Sequence, residues 1–262
     1  MEVLQEKYIA GNKKNLELRW KSLSTKIGNF WNFLYVALRA KVYHFRDFLY
    51  ALMKYYPKNA LFAKIDCILF LDYWFESPFV ISKRYLQLKF EPDIYQYGET
   101  PLSTIEQIAQ KLTINENDHV FELGSGTGRC AFWLACSRGC RITGIEQIPQ
   151  FIDTTQRLLD RHKSLKQKIN FIKGNFLTED LSKATIVYLY GSKMSNQEIE
   201  ALILNLHTTQ PGTRIVTVTY SLNEIIRESQ NKNMLNENFP IVTSFEAEFF
   251  WGKTTVFIQK KL

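Results

Sequence analysis

The chain has 262 residues and a formal net charge of +7, with 45% hydrophobic and 23% charged residues. This composition is typical of globular proteins and excludes wholesale disorder. No segment approaches about 18 uncharged apolar residues, so the sequence predicts no membrane-spanning helix. The four cysteines lack the paired spacing of a metal site, and we expect reduced thiols in a cytoplasmic protein, with membrane association left open.

Positive charge and aromatic side chains are concentrated near the N-terminus. Residues 1–60 hold eleven Lys and Arg against four Asp and Glu, and eighteen of the 37 aromatic residues lie between Phe30 and Phe90. We therefore predict two domains: a basic, aromatic-rich helical unit over residues 1–94 and a second domain over residues 95–262. Two interpretations of the first unit stay open. It packs on the second domain, or it docks through residues 27–75 onto a membrane or an acidic partner.

From Tyr97 onward, short β-rich runs alternate with amphipathic helical stretches. This alternation predicts an α/β fold with an open, doubly wound, mainly parallel seven-stranded sheet. Three residues separate the last two runs, Ser244–Phe250 and Thr254–Gln259, which predicts an antiparallel C-terminal hairpin. The other predicted strands are His119–Leu123, Arg141–Ile145, Ile169–Lys173, Ala184–Tyr190 and Arg214–Tyr220, and the predicted helices include Leu102–Leu112, Pro149–His162 and Ser195–Leu206.

A glycine-rich segment, Glu-Leu-Gly-Ser-Gly-Thr-Gly at residues 122–128, lies where the first predicted strand turns into a helix. Alternate glycines let the backbone turn sharply and approach a ligand closely. A dinucleotide-binding fingerprint that begins at Gly124 needs glycine at position 129, where the chain has Arg129, and a P-loop ending is absent. The carboxylate of Glu122 disfavours pyrophosphate and suits a ligand with a positive centre, such as S-adenosylmethionine.

A second carboxylate, Glu146, ends the second predicted strand, 24 residues after Glu122. Its two oxygens can accept both hydroxyls of an unphosphorylated ribose, which favours the same ligand. Together, the glycine segment, Glu146 and the closing hairpin resemble a class I S-adenosylmethionine-dependent methyltransferase over roughly residues 97–260. The resemblance implies that S-adenosyl-L-methionine is the cofactor. It also implies the following cofactor-binding residues: Glu122, Gly124, Ser125, Gly126, Thr127, Gly128, Glu146 and Gln147.

Further segments are similar to the non-SET histone-lysine methyltransferases: Tyr97-Gly98-Glu99-Thr100, Gly174-Asn175-Phe176-Leu177 and Trp251-Gly252-Lys253. This likeness implies that Glu99, Thr100, Asn175 and Phe176 help enclose the cofactor. The usual acid after strand three is Asn175 here, and its amide can still pair with the adenine edge. Strand four and Pro211–Val216 also resemble the lysine methyltransferases that modify the membrane-embedded c subunit of ATP synthase.

The end of strand four, Tyr188-Leu189-Tyr190-Gly191-Ser192, differs from the asparagine-rich segment of the histone enzymes. It also lacks the Asp/Asn-Pro-Pro-aromatic motif of enzymes that methylate adenine, which counts against a nucleobase acceptor. We predict that Tyr97, Tyr188 and Tyr190 line a channel for a lysine amine, because aromatic surroundings lower the pKa of an ammonium group. Glu99 is the predicted acceptor of a hydrogen bond from that amine.

Three functional hypotheses follow. The first is a protein-lysine methyltransferase that acts on an acidic or membrane-associated protein, with the N-terminal unit as a docking element. The second is an RNA or small-molecule methyltransferase in which residues 1–60 contact phosphates. The third is a protein that binds S-adenosylmethionine without catalysis. No metal site is expected from the sequence.

Overall fold

A computed structural model describes residues 42, 45–91, 93–94, 96–229 and 238–262. The chain divides into two compact units, Met1–Arg46 and Asp47–Leu262, and the fold below is that of the second unit. The helical pattern expected between Trp31 and Met53 lies largely outside the described residues, although residues 47–54 are helical. Among the described residues, no helix has both the length and the apolar composition needed to cross a bilayer.

Seven strands form one sheet within the described residues. They are β1 (His119–Leu123), β2 (Arg141–Glu146), β3 (Ile169–Lys173), β4 (Ile186–Leu189), β5 (Arg214–Val218), β6 (Ile241–Phe249) and β7 (Gly252–Lys260). The described α-helices with defined bounds are α1 (Ala60–Asp72), α2 (Pro78–Leu88), α3 (Leu102–Lys111), α4 (Arg129–Arg138), α5 (Pro149–Arg161), α6 (Lys163–Lys166), α7 (Asn196–Leu206) and α8 (Leu222–Glu228).

The strand order is β3-β2-β1-β4-β5-β7-β6. Strands β1 to β5 pair in parallel, whereas β7 is antiparallel to both β5 and β6. This arrangement confirms the predicted doubly wound, mainly parallel sheet with an antiparallel C-terminal hairpin. The second strand of the hairpin is inserted beside β5, so β6 forms the edge of the sheet.

Helices cover both faces of the sheet. Successive strand residues point to opposite sides, so each face presents side chains that the helices bury. Val120 of β1 belongs to the core beneath α3 and α4, where Ile108 and Phe132 are buried. The next residue, Phe121, belongs to the core on the other face, with Leu202 of α7. Burial on both faces explains why the strands are nearly continuous apolar runs.

Residues 47–91 pack into the same unit as the sheet. Ala51, Tyr55, Phe62 and Ile65 are buried in the core that includes α3 and α4. The domain boundary predicted between residues 94 and 95 stays a prediction.

Candidate active site

The glycine loop between β1 and α4 has the conformation that its sequence predicts. Gly124, Gly126 and Gly128 have φ angles of +74°, +52° and +73°, a region that other residues rarely adopt. The N–H groups of Gly124 and Ser125 donate to the carbonyl oxygen of Ile145 at 2.9 and 3.1 Å. These bonds fix the loop against the end of β2.

Glu146 anchors the same loop from the end of β2. Its Oε2 accepts from the N–H of Gly126, and its Oε1 accepts from the N–H groups of Gln147 and Ile148, each at 2.8 Å. Burial raises the pKa of Glu146, and these three donors oppose that shift. A carboxylate offers about four acceptor positions, so one remains, on Oε2. The geometry favours one ribose contact through Oε2 over the two that the sequence predicted.

A short segment ahead of α3 passes over the loop. The hydroxyl of Tyr97 donates to Oε1 of Glu99 at 2.6 Å, and the hydroxyl of Thr127 donates to the same oxygen at 3.4 Å. The ring of Tyr97 lies against Gly126, where an added Cβ would be 3.4 Å from Cε2. Burial and the adjacent Glu99 carboxylate raise the pKa of Tyr97 well above its usual value, so its hydroxyl stays a donor.

A cleft of about 250 Å³ opens at the carboxyl ends of the first four strands. This edge is where open α/β sheets bind their ligands. The predicted site residues that line it are Tyr97, Gly124, Gly126, Glu146, Gln147, Asn175, Phe176 and Tyr190. The structure therefore brings together residues that are up to 93 positions apart in the sequence.

Asn175 and Phe176 occupy the cleft side that follows β3. Oδ1 of Asn175 accepts from the N–H of Leu177 at 3.0 Å, so the side chain also stabilises the local turn. The ring of Phe176 faces the glycine loop, with Cε1 4.0 Å from the position of a Cβ on Gly124. A planar ring over a bare glycine fits the predicted stacking surface for adenine.

A smaller pocket of about 30 Å³ lies behind the cleft, lined by Glu122, Ser125, Thr100 and Tyr188. The hydroxyls of Thr100 and Tyr188 are hydrogen-bonded to each other. Tyr188 is only 3% exposed, so it lies in this inner pocket rather than along the open cleft. Burial raises the pKa of Glu122 to about 8.

Tyr190 lines both the cleft and the inner pocket. Its ring centroid lies 5.3 Å from that of Phe249, and Phe249 stacks on Trp251 with centroids 6.0 Å apart. Nε1 of Trp251 donates to the hydroxyl of Tyr190. The end of β4 and the turn of the C-terminal hairpin therefore build one aromatic group, with Trp251 48% exposed.

Fourteen of the fifteen predicted site residues line one of these two pockets. The exception is Gly128, where a Cβ would lie 2.7 Å from the ring of Phe171 and 2.9 Å from Thr155. Gly128 thus allows α4 to pack closely on the sheet and does not face the ligand space.

Sequence reasoning missed several residues that line the cleft, among them Ser82 and Leu86 of α2, Ile148, and Met194. No local motif marks α2 as a cleft wall, because its position depends on tertiary packing. Met194 lies two residues beyond the segment Tyr188–Ser192, so extending the predicted site by two residues would have included it.

The inner pocket contains polar atoms that suit the expected cofactor. Oε2 of Glu122 and Oγ of Ser125 are buried and have no hydrogen-bond partner among the described residues. A buried carboxylate oxygen without a partner is costly unless a cation or donor reaches it. The ammonium or sulfonium group of S-adenosylmethionine would supply such a partner for Glu122.

Comparison with known proteins agrees with this geometry. Residues 122–229 match the family described as the ANTKMT methyltransferase domain. That match begins at Glu122 and contains the glycine loop, Glu146 and Asn175, but covers less than half of the chain.

Two curated relatives share about a quarter of their aligned residues with this chain. A histone-lysine N-methyltransferase specific for H3 lysine-79, from Dictyostelium discoideum, is 24% identical in an alignment of 137 residues that covers 47% of this chain and 7% of that protein. A protein-lysine N-methyltransferase from Saccharolobus islandicus is 23% identical over 127 residues, which are 48% of this chain and 77% of that protein.

A solved RNA methyltransferase from Salinibacter ruber, in complex with S-adenosyl-L-homocysteine, superposes with a TM-score of 0.49 and 21% identity, over 62% of this chain and 93% of that one. The enzyme class follows from the sheet order, the family match, and the glycine loop with Glu122 and Glu146 beside it. The chain is a class I, seven-β-strand methyltransferase with S-adenosylmethionine as its cofactor.

Proposed function

We propose that the methyl acceptor is the ε-amine of a lysine in a protein. The observation that carries this proposal is the aromatic group at the cleft, in which Tyr190 meets both the inner pocket and Trp251. A lysine side chain has a long apolar stem and a small polar head, which fits a narrow passage between rings. The segment that holds Tyr190 also lacks the motif by which adenine methyltransferases bind their base.

The lysine must lose a proton before its lone pair can attack. S-adenosylmethionine supplies a methyl group on a sulfonium, a leaving group that is already activated. The rings of Tyr97 and Tyr190 remove water from the approaching ammonium, which lowers its pKa. The main task of the protein is then to align the amine with the S–CH₃ bond, since orientation supplies much of the rate enhancement.

Glu99 is positioned to receive the incoming amine. Its described hydrogen bonds, from Tyr97 and Thr127, both reach Oε1. Within the described residues this leaves Oε2 to accept from the amine as it enters. We assign Glu99 the role of orienting the amine nitrogen, with Tyr97 holding the carboxylate in place.

The curated relatives support the same acceptor, because both are lysine methyltransferases by description. An RNA acceptor is less well supported, because RNA binding needs several cations near the phosphates. Lys193 is the one lysine or arginine among the described residues that line the cleft.

A pair of substitutions tests the proposal. Trp251→Ala removes the outer ring of the aromatic group, and we expect kcat/KM for a protein acceptor to fall at least about tenfold. The dissociation constant of S-adenosylhomocysteine should stay within about twofold, because Trp251 does not line either pocket. Phe90→Ala is the matched control, since Phe90 is 94% exposed and also lies outside both pockets. Equal loss in both variants, or none in either, contradicts the proposed path of the lysine.

A further inference from the structure

The corner between α1 and α2 exposes four large apolar side chains, which we call the aromatic corner. Phe70, Leu71, Trp74 and Phe75 are 51%, 66%, 63% and 97% exposed. Isolated exposed apolar residues are common, but four within six positions form a patch that marks an interaction site.

Packing holds the aromatic corner in an outward orientation. The ring of Phe70 stacks on Phe48 with centroids 6.0 Å apart and meets Trp74 at 5.0 Å. Tyr73 turns the other way and packs on Phe151 of α5, with centroids 6.0 Å apart. The chain is therefore fixed through Tyr73, while its neighbours on both sides point away from the core.

The carboxylates next to the aromatic corner are neutralised within the protein. Asp72 accepts from Nη2 of Arg157 at 2.8 Å, and Glu76 accepts from Nη1 of Arg84 at 2.5 Å. The Glu76 pKa is lowered by its hydrogen bond from Arg84, so this carboxylate stays ionised and paired. An anionic surface that approaches the corner thus meets apolar rings and paired charges.

The small size of the aromatic corner favours a lipid surface over a protein surface. A stable protein interface buries at least about 1,000 Å² in total on complementary surfaces, whereas the corner offers four exposed side chains within six positions. Exposed Trp, Phe and Leu side chains are suited to insertion among lipid headgroups, where the buried apolar area contributes to the affinity. The sequence also has its net positive charge in residues 1–60, which an anionic bilayer attracts.

We propose that the aromatic corner inserts into the interface of an anionic lipid bilayer. The helix that follows the corner, α2, also forms a wall of the cofactor cleft through Ser82 and Leu86. These residues lie four and eight positions after Pro78, or about 6 and 12 Å along the helix axis. Docking therefore brings the cleft close to the membrane surface. The membrane contact is independent of the acceptor, but its use to reach a lysine near a membrane rests on the proposed function.

Sedimentation with vesicles tests the insertion. The probes are vesicles of pure phosphatidylcholine and vesicles of equimolar phosphatidylcholine and phosphatidylglycerol. We expect the double variant Trp74→Ser/Phe75→Ser to partition at least about tenfold less than the wild type on mixed vesicles. High salt should weaken wild-type binding through screening without abolishing it, because apolar insertion persists. The matched control Val242→Ser/Leu262→Ser also replaces exposed apolar residues, on β6 and at the C-terminus, and should bind like the wild type.

A second variant, Leu71→Ser/Phe75→Ser, and a thermal melt of each protein separate loss of the corner from loss of the fold. Equal vesicle binding by wild type and both corner variants overturns the proposal. So does a corner variant that binds vesicles normally but no longer methylates a detergent-solubilised protein, because the corner then contacts protein. Vesicle binding does not involve methyl transfer. The vesicle experiment therefore tests membrane insertion even if lysine is not the methyl acceptor.

Discussion

The guanidinium of Arg129 forms a two-point ion pair with the carboxylate of Asp66: Nε lies 2.7 Å from Oδ1, and Nη2 lies 2.9 Å from Oδ2. A third contact joins Arg129 to Asp47, whose other oxygen accepts from the N–H of Leu102 at 3.0 Å. The first residue of α4, directly after the glycine loop, thereby connects α1, α3 and the helical residues 47–54.

Replacement of Arg129 by Met should strongly destabilise the protein. Asp47 and Asp66 have side chains that are only 2% and 5% exposed, and both lose their cation. Breaking a buried ion pair by removing one partner costs about 3–5 kcal/mol. Chemical denaturation measures this loss, with Arg157→Met as the control, because Arg157 is 46% exposed and its pair with Asp72 contributes about 1 kcal/mol or less. Similar losses in the two variants contradict a central role for Arg129.

Gly126→Val should abolish most cofactor binding. The substitution forces a branched side chain into a φ of +52° and directs its Cβ toward Tyr97, 3.4 Å away. Isothermal titration with S-adenosylhomocysteine should show a fall in affinity of at least about tenfold.

Gly212→Val controls for backbone strain in that experiment. Gly212 has a φ of +91°, and the nearest atom to an added Cβ is Cε of Lys260 at 3.8 Å. Neither Gly212 nor Lys260 lines the cleft. The control should lower the free energy of unfolding and leave cofactor affinity nearly unchanged. If the Gly126→Val and Gly212→Val proteins bind the cofactor equally well, the glycine loop does not form the cofactor-binding site.

Glu146→Ala should weaken cofactor binding by roughly 1.5–3 kcal/mol, the range for hydrogen bonds to a charged group. The variant loses the predicted ribose contact and also frees the N–H groups of Gly126, Gln147 and Ile148. Calorimetry with S-adenosylmethionine, together with a melt without it, separates these effects. Unchanged affinity in a folded Glu146→Ala protein contradicts the assignment of Glu146.

Cofactor affinity should depend on pH through Glu122. Burial raises the pKa of Glu122 from 4.5 to about 8, so the carboxyl is mostly protonated at neutral pH before a cation binds. A bound ammonium or sulfonium favours the ionised form of Glu122, so binding releases a proton and affinity rises with pH up to about 8. Titration calorimetry in buffers of different ionisation enthalpy measures that proton.

Glu122→Gln should remove this dependence. The same raised pKa has a consequence for the protein without cofactor: the stability contributed by Glu122 is full below its unfolded pKa and is lost as pH rises through about 8. The free energy of unfolding of the Glu122→Gln protein should therefore vary less between the unfolded pKa of Glu122 and about pH 8. Wild-type affinity that stays constant between about pH 6 and about pH 9 contradicts the role of Glu122.

The sequence predicted β1 and β3 at their observed bounds, because alternating strands and helices with clear turns leave little choice. It did not predict α8, a short helix whose capping box at Ser221 lies inside an otherwise irregular stretch. Nor did it place β7 between β5 and β6, since strand pairing over such distances depends on tertiary packing.

The candidate site shows the same division. Its residues were predictable because the glycine loop and the residues after each parallel strand meet at one edge of the sheet. The partners of those residues were not. In the sequence, Arg129 is the residue that excludes a dinucleotide fingerprint, whereas its contacts with Asp47 and Asp66 span 82 and 63 positions. Likewise, no local pattern shows that backbone N–H groups occupy three acceptor positions of Glu146.

The chemical identity of the methylated product tests lysine methylation most directly. The protein is incubated with cell extract and S-adenosylmethionine that carries an isotopically labelled methyl group, and protein, RNA and small molecules are then separated. Acid hydrolysis of the protein fraction and mass spectrometry should find the label in ε-N-methyllysine, and the signal should be strongly reduced with the Glu146→Ala protein. Label in RNA nucleosides, in small molecules or in another amino acid, without methyllysine, contradicts the account.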